Sequence, residues 1–293
     1  MKIITTLFSI ESIESLSSHA DGFMIGHKNF GARLTRSFEI SEINEAIKLA
    51  NKLNKELFIQ ANQMMDDKLI QRFKQFINQI DVDKITGIIV ADIGAIMLLK
   101  ANGIAHKAIY NPETLLTNTY DFNFLHKENI YGGFVAKEIT LLDIKQIAKN
   151  KKINVFMVGH GHLNMFYSKR QLVHNFMDFI DKEHVYHERQ NLKIIEEQRK
   201  DEPYPIVEDQ AGTHVFRSHV FNSLNHLKEL EKLIDFLVID TIFKDDQYAQ
   251  RILPMYHQLK IDENQIESLK KDYQESWDEG FFYKKTIYKT KES

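Results

Sequence analysis

Gly87-Ile88-Ile89-Val90-Ala91-Asp92 decides the fold. Up to its terminal aspartate the stretch has no polar alternation, as a strand covered on both faces requires. Such strands belong to parallel sheets sheathed by helices, so strand and amphipathic helix should alternate on either side of it. Short β-branched or apolar runs do recur, at residues 3–8, 22–26, 57–61, 85–91, 107–110, 132–136, 155–158 and 236–239. Eight such runs, nearly all followed by amphipathic stretches, predict a (β/α)8 barrel of the α/β class.

The intervening stretches carry helix signals. SEINEAIKLANKLN places Ser41 and Asn44 at a cap and Ile43, Ile47, Leu49, Ala50 and Leu53 on one stripe. Asp66 or Asp67 opens a second helix, with Leu69, Ile70, Phe73, Phe76, Ile77 and Ile80 facing inward. Thr140, with Asp143 three residues on, opens another through an imperfect capping box. The rhythm breaks between Val158 and Phe236, a gap too long for one crossover that includes a charged run and two of the chain's four prolines. The organisation expected is a barrel over residues 1–260, with an insertion at about 175–230 between strands 7 and 8 standing over the C-terminal face. Residues 261–293 should add a short helix and an aromatic strand.

Composition removes whole chemistries. None of the 293 residues is cysteine, which excludes disulfides, a cysteine nucleophile, zinc held through sulfur and thiolate-ligated iron–sulfur clusters. The charge sum of 38 Lys+Arg against 41 Asp+Glu gives −3, so a polyanion must bind a local patch rather than a global field. The longest apolar runs fall far short of the roughly 20 residues that cross a bilayer. The start MKIITTLFSIESIESL lacks the form of a signal peptide, and the expectation is a cytoplasmic protein with no membrane partner.

The sharpest local feature is VFMVGHGHLNMFYSKRQLV, read as a strand ending in Gly159-His160-Gly161-His162. Histidines at i and i+2 on extended backbone point the same way and could hold a metal or share a proton. They could equally be hydrated imidazoles on a glycine-rich turn, and with no third ligand nearby no metal is assigned. Other strand ends supply His27, Asn29, Arg33, Asn62, Gln63, Asp92, Asn111, Glu113, Lys137, Glu138 and Asp240, which would line one pocket at the catalytic face of a barrel. Asp92 is also a good cap for the helix that follows it. Arg33, Arg170 and Arg217 would clamp an anionic substrate, or serve as surface ion-pair partners. Lys284, Lys285, Lys289 and Lys291, interleaved with Phe281, Phe282, Tyr283 and Tyr288, form either an RNA-facing patch or an edge strand guarded by lysines.

These motifs resemble the collagenase-like peptidases of unassigned catalytic type, peptidase family U32. Members carry a strand followed by His-Gly, then a cysteine and Tyr-Ser-Gly-Arg-Cys; here His160, Gly161, Tyr167, Ser168 and Arg170 fall into that frame. The blocks DGFMIG through NFGAR (21–33), IIVADIG (88–94), AKEIT (136–140), EDQAGTH (208–214) and DFLVID (235–240) have counterparts as well. Relatives of this kind hydroxylate RNA, notably the wobble uridine of tRNA in a prephenate-dependent reaction, and use cluster-binding cysteines. Asn164 and Gln171 stand where the family has two of those cysteines, and the last strand lacks the family's lysine and arginine while keeping a carboxylate at Asp240.

The resemblance thus implies a cluster-free subunit of a tRNA wobble-uridine 5-hydroxylation system. Its partner would be a cysteine-bearing paralogue that alone holds the iron–sulfur cluster, with tRNA and a small anion such as prephenate as further ligands. The family's name supplies an alternative, a metal-dependent collagenase-like peptidase with Glu138 as base; a free-standing small-molecule-binding barrel is a third. The candidate catalytic residues are His160, Glu138 and Asp92. The candidate ligand-binding residues are Arg33, Asn62, His162, Asn164, Ser168, Arg170 and Asp240.

Overall fold

The computed structural model describes residues 1–184 and 191–283, Arg199 by its backbone alone. Its first seven strands are β1 (Lys2–Thr6), β2 (Gly22–Gly26), β3 (Glu56–Ala61), β4 (Gly87–Val90), β5 (Ala108–Tyr110), β6 (Gly132–Phe134) and β7 (Asn154–Ser168). Between them lie α1 (Ser12–Leu16), α2 (Ile40–Lys52), α3 (Asp67–Ile77), α4 (Ile93–Ala101), α5 (Thr119–Lys127) and α6 (Leu141–Lys149). There follow α7 (Leu172–Phe179), β8 (Leu192–Glu196), β9 (Arg199–Asp209), β10 (Gly212–Asn222), α8 (Leu227–Leu230) and β11 (Phe236–Ile239). The chain continues through α9 (Asp246–His257), α10 (Glu263–Asp272) and β12 (Trp277–Asp278).

β1 to β7 and β11 pair in parallel, and β11 closes the circle against both β1 and β7, giving the (β/α)8 barrel read from the sequence. The interior is filled by Ile4, Met24, Phe58, Ile89, Ile109, Phe134, Phe156, Phe236 and Val238. Phe156 and Phe236 stack with centroids 4.4 Å apart, and Phe58 meets Phe236 edge-on at 5.4 Å. Aromatic bulk here makes the barrel a packed core and leaves its C-terminal mouth as the place for a site. The opposite strand faces pack against the helices, as Ile25, Ile59, Ile88 and Leu237 do.

The helix starts follow local chemistry. Asp66 accepts from the Leu69 N–H at 2.8 Å, and Thr140 and Asp143 cap each other. α2 departs from expectation: its cap is Glu39, whose N–H donates to Glu42 at 2.7 Å, and Ser41 lies inside the helix. Asn44 instead donates to the Gln79 carbonyl at 3.0 Å, tying α2 to the end of the next unit.

A larger departure lies at Gly159 to His162. β7 does not stop at Val158; it runs on to Ser168 and pairs antiparallel with β10, which pairs in turn with β9 and β9 with β8. The glycines serve close approach here. A Cβ on Gly159 would meet Leu237 Cγ at 2.4 Å, and one on Gly161, at φ +129°, would meet the Asp240 carbonyl oxygen at 2.4 Å. The inserted sheet therefore grows directly out of a barrel strand. Beyond α10 the chain adds β12 to β10 in parallel. Phe281, Phe282 and Tyr283 form a turn rather than a strand. Residues 284–293, with Tyr288 and the four lysines of the expected basic patch, lie outside the described residues. Among the described residues no helix is long and apolar enough to cross a membrane.

Candidate functional site

Three charged side chains meet at the C-terminal mouth of the barrel. Glu113, in the loop after β5, bridges the Arg33 guanidinium from the loop after β2 and the Lys137 ammonium from the loop after β6. Asn164 of β7 donates from Nδ2 to the same carboxylate at 3.1 Å. Arg33 and Glu113 both hold left-handed backbone, at φ 57° and 67°, a costly conformation for side chains of this size. Burial raises the Glu113 carboxyl, but Arg33 and Lys137 outweigh it and hold its pKa at about 2. Lys137 is lowered, chiefly by burial and with Arg33 adding to the effect against Glu113. Arg33 and Lys137 thus share one directly contacting carboxylate.

A second layer fixes Arg33. Its guanidinium lies 3.4 Å from His214 Nδ1, and His214 Nε2 lies 3.1 Å from Asp209 Oδ1. The other oxygen of Asp209 accepts from the Arg33 backbone N–H at 2.8 Å. Burial lowers His214 and outweighs the pull of Asp209, so the ring is neutral, with Nε2–H donating to Asp209 and Nδ1 accepting from Arg33. Tyr167 stacks on His214 at 4.6 Å. Asn62 Oδ1 accepts from the Ala32 N–H at 2.9 Å and so shapes the loop that carries Arg33. The cleft above these groups measures about 490 Å³; Arg33, Asn62, Glu113, Lys137 and Asn164 line it, and Met165 and Phe166 contribute apolar wall. Asn164 Oδ1 is buried without a hydrogen-bond partner in the described structure.

Of the candidate catalytic and ligand-binding residues, Arg33, Asn62 and Asn164 meet in this cleft, joined by Glu113 and Lys137 from the strand ends. Asp240 lies within electrostatic reach of Arg33 and Glu113; burial pushes its pKa up to about 6 against an N–H···O bond from Ile242 at 3.0 Å. The other residues lie elsewhere. His160 is fully buried, its two nitrogens 2.6 Å from Tyr248 Oη and 3.2 Å from Tyr256 Oη, and Trp277 stands edge-on to it. His162 turns Nδ1 to the Arg217 carbonyl at 2.8 Å and its ring face to Phe243. Burial first, then Lys244, hold His160 at about 3 and His162 at about 4, both neutral. Asp92 caps α4, accepting from the Gly94 N–H at 2.7 Å. Glu138 faces solvent. Ser168 accepts from the Arg170 N–H at 3.2 Å and Arg170 is exposed, while Arg217 is held by Asp278 through both nitrogens at 2.9 and 2.5 Å.

Sequence reasoning noticed Glu113 and Lys137 as strand-end residues without ranking them above their neighbours, and gave His214, Asp209 and Tyr167 no role. EDQAGTH and the tyrosine after β7's histidines were the available signal, since both stood out as motifs before their position over the mouth was known.

Fold and cleft together define a (β/α)8-barrel protein whose C-terminal face carries a buried Arg33–Glu113–Lys137 charge cluster braced by an inserted sheet. The chain belongs to Peptidase family U32, whose model matches residues 11–291. It is 23% identical over 304 residues to tRNA hydroxylation protein P2 of Bacillus subtilis, covering 98% of each chain. It is also similar to an uncharacterized protease of Methanocaldococcus jannaschii, at 25% identity over 90% of this chain and 68% of that one. Likeness to tRNA hydroxylation protein P1 of Bacillus subtilis, at 23% identity, spans 54% of this chain and 38% of that protein. The thiolate-held cluster implied by the family resemblance does not fit these residues. Asn164 is engaged with Glu113, Gln171 donates to the Asp209 carbonyl at 2.8 Å, and neither amide can replace a thiolate.

Proposed function

We propose that this chain is a subunit of a tRNA-hydroxylating system in which it binds a small anionic ligand in the Arg33–Lys137 cleft. The observation that carries the reading is the pair of inward cations sharing one carboxylate beside the unpartnered Asn164 Oδ1. An anion carrying a hydroxyl or N–H group satisfies both features, since its charge meets the two inward cations and its donor meets the orphaned acceptor. Prephenate, the ligand suggested by the family resemblance, has that chemistry. Similarity to a tRNA hydroxylation protein along nearly the whole chain supports the reaction class. The target in this reading is position 5 of the wobble uridine, and the setting is the cytoplasm.

The subunit acts with a cysteine-bearing paralogue that holds the iron–sulfur cluster. A chain with no thiolate calls for such a partner if the reaction needs that cluster. The peptidase reading draws less support, because both nitrogens of His160 lie against tyrosine hydroxyls and Glu138 points to solvent.

Deleting the gene and measuring wobble 5-hydroxyuridine by nucleoside mass spectrometry tests the reading. Loss of the modification, with restoration by the wild-type gene, supports it. Unchanged modification in a strain without an oxygen-dependent route overturns it.

A further inference from the structure

His174 and Asp178 stand one helical turn apart on α7, at the i, i+4 spacing that places side chains on one face. The helix then ends in a reversal. Asp181 adopts φ 53°, its N–H donates to the Asp178 carbonyl at 3.2 Å, and the Lys182 N–H donates to the Met177 carbonyl at 3.0 Å. This pair of bonds turns the chain back along the helix and returns His184 to the face it has just left. His184 Nδ1 comes to 2.5 Å from His174 Nδ1, and His184 Nε2 to 2.5 Å from Asp178 Oδ1. The two rings pack edge to face with centroids 3.8 Å apart.

We propose that His174, Asp178 and His184 form a binding site for a divalent transition-metal ion, with Zn2+ the fitting species. One ligand atom from each residue lies within 4.8 Å of the others. A tetrahedral ion with bonds of about 2.0–2.2 Å needs its ligand atoms about 3.3 Å apart; His184 now turns Nδ1 to His174 and Nε2 to Asp178, so its exposed ring must reorient to aim one nitrogen at the ion. Two imidazoles and a carboxylate suit a borderline cation such as Zn2+, with water in the fourth position, better than the all-oxygen shells preferred by Ca2+ or Mg2+.

The surroundings give the ion a role. α7 buries none of its residues. Its anchoring is at the N-terminal end, where Glu208 accepts from the Val173 N–H at 2.7 Å and the His174 N–H at 3.0 Å. A helix this short is marginal without packing. An ion held between the helix and the segment after it clips the C-terminal end in place. The site stands apart from the barrel-mouth cleft and is independent of the reaction proposed for it.

The test uses full-length, tag-free protein stripped with a chelator and dialysed, titrated with ZnCl2 in a calorimeter. Wild-type protein should bind one equivalent. His174→Ala and Asp178→Asn should each weaken that binding by more than roughly tenfold, the smallest loss seen even on removing an outer-shell partner. His106→Ala, an exposed histidine elsewhere, should not. Hydrogen exchange across residues 172–184 should slow on adding Zn2+ in the wild type and not in the variants. No stoichiometric binding, binding unmoved by both substitutions, or exchange in 172–184 indifferent to Zn2+ would each overturn the proposal. The three side chains are on the surface, so the variants retain the fold, which circular dichroism checks.

Discussion

Asn164 Nδ2 donates to Glu113 Oε2 at 3.1 Å, at a position where the family resemblance puts a thiolate. The amide leaves Glu113 as the sole carboxylate, among the described residues, directly bridging Arg33 and Lys137. A thiolate in its place would bring a second negative charge to the same cations. Replacing Asn164 by Asp should therefore raise the Glu113 pKa and weaken binding of an anion, whereas Asn164→Ala should cost about 1–2 kcal/mol of stability through the lost hydrogen bond. Isothermal titration with a small carboxylate and chemical denaturation read the two effects.

Glu113 should leave a signature in acid. Its carboxyl falls from 4.5 to about 2 on folding, so its contribution is fully present above pH 4.5 and is lost as the pH drops toward 2. At neutral pH Glu113→Gln should cost about 2–3 kcal/mol, a difference that shrinks across that window. Urea unfolding at a series of pH values measures it; a gap that stays constant into acid would contradict the assignment.

Asp240 carries the opposite sign. Burial raises its pKa from 3.8 to about 6, so the folded state favours the protonated form and stability falls as the pH rises through that interval. Asp240→Asn should stabilise the protein by about 1–2 kcal/mol above pH 6, the figure being discounted for partial exposure. It should change little below pH 4.

His160 is a structural residue in this account. Replacing it with Ala removes one hydrogen-bond partner from Tyr248 and from Tyr256, which keep Glu275 and the Gly159 carbonyl, and opens space beside Trp277. The expected loss is about 2–4 kcal/mol of stability. Anion affinity should be unaffected by titration of this ring between pH 5 and 9, since its pKa lies near 3.

The barrel was legible because its strands are short apolar runs bounded by clear caps. β2 begins and ends where the sequence placed it, at Gly22 and Gly26. β7 runs past the end its glycines suggest, because glycines that admit Leu237 and the Asp240 backbone look, in sequence, the same as glycines that make a turn. The site divided in a similar way. Strand ends and motif single out Arg33, Asn62 and Asn164, which the cleft brings together, but Lys137 and Glu138 are adjacent, and only the loop's path shows that the lysine turns inward and the glutamate outward. His214 and Asp209 reach the mouth by way of an inserted sheet, a long-range pairing that local patterning does not encode.

The most direct test of the central claim is complementation of the deletion strain, read by mass spectrometry of wobble 5-hydroxyuridine. Wild-type protein and Glu138→Gln should restore the modification, while Arg33→Met and Lys137→Met, expressed at equal level, should not. Full restoration by the Arg33 and Lys137 variants would contradict the account.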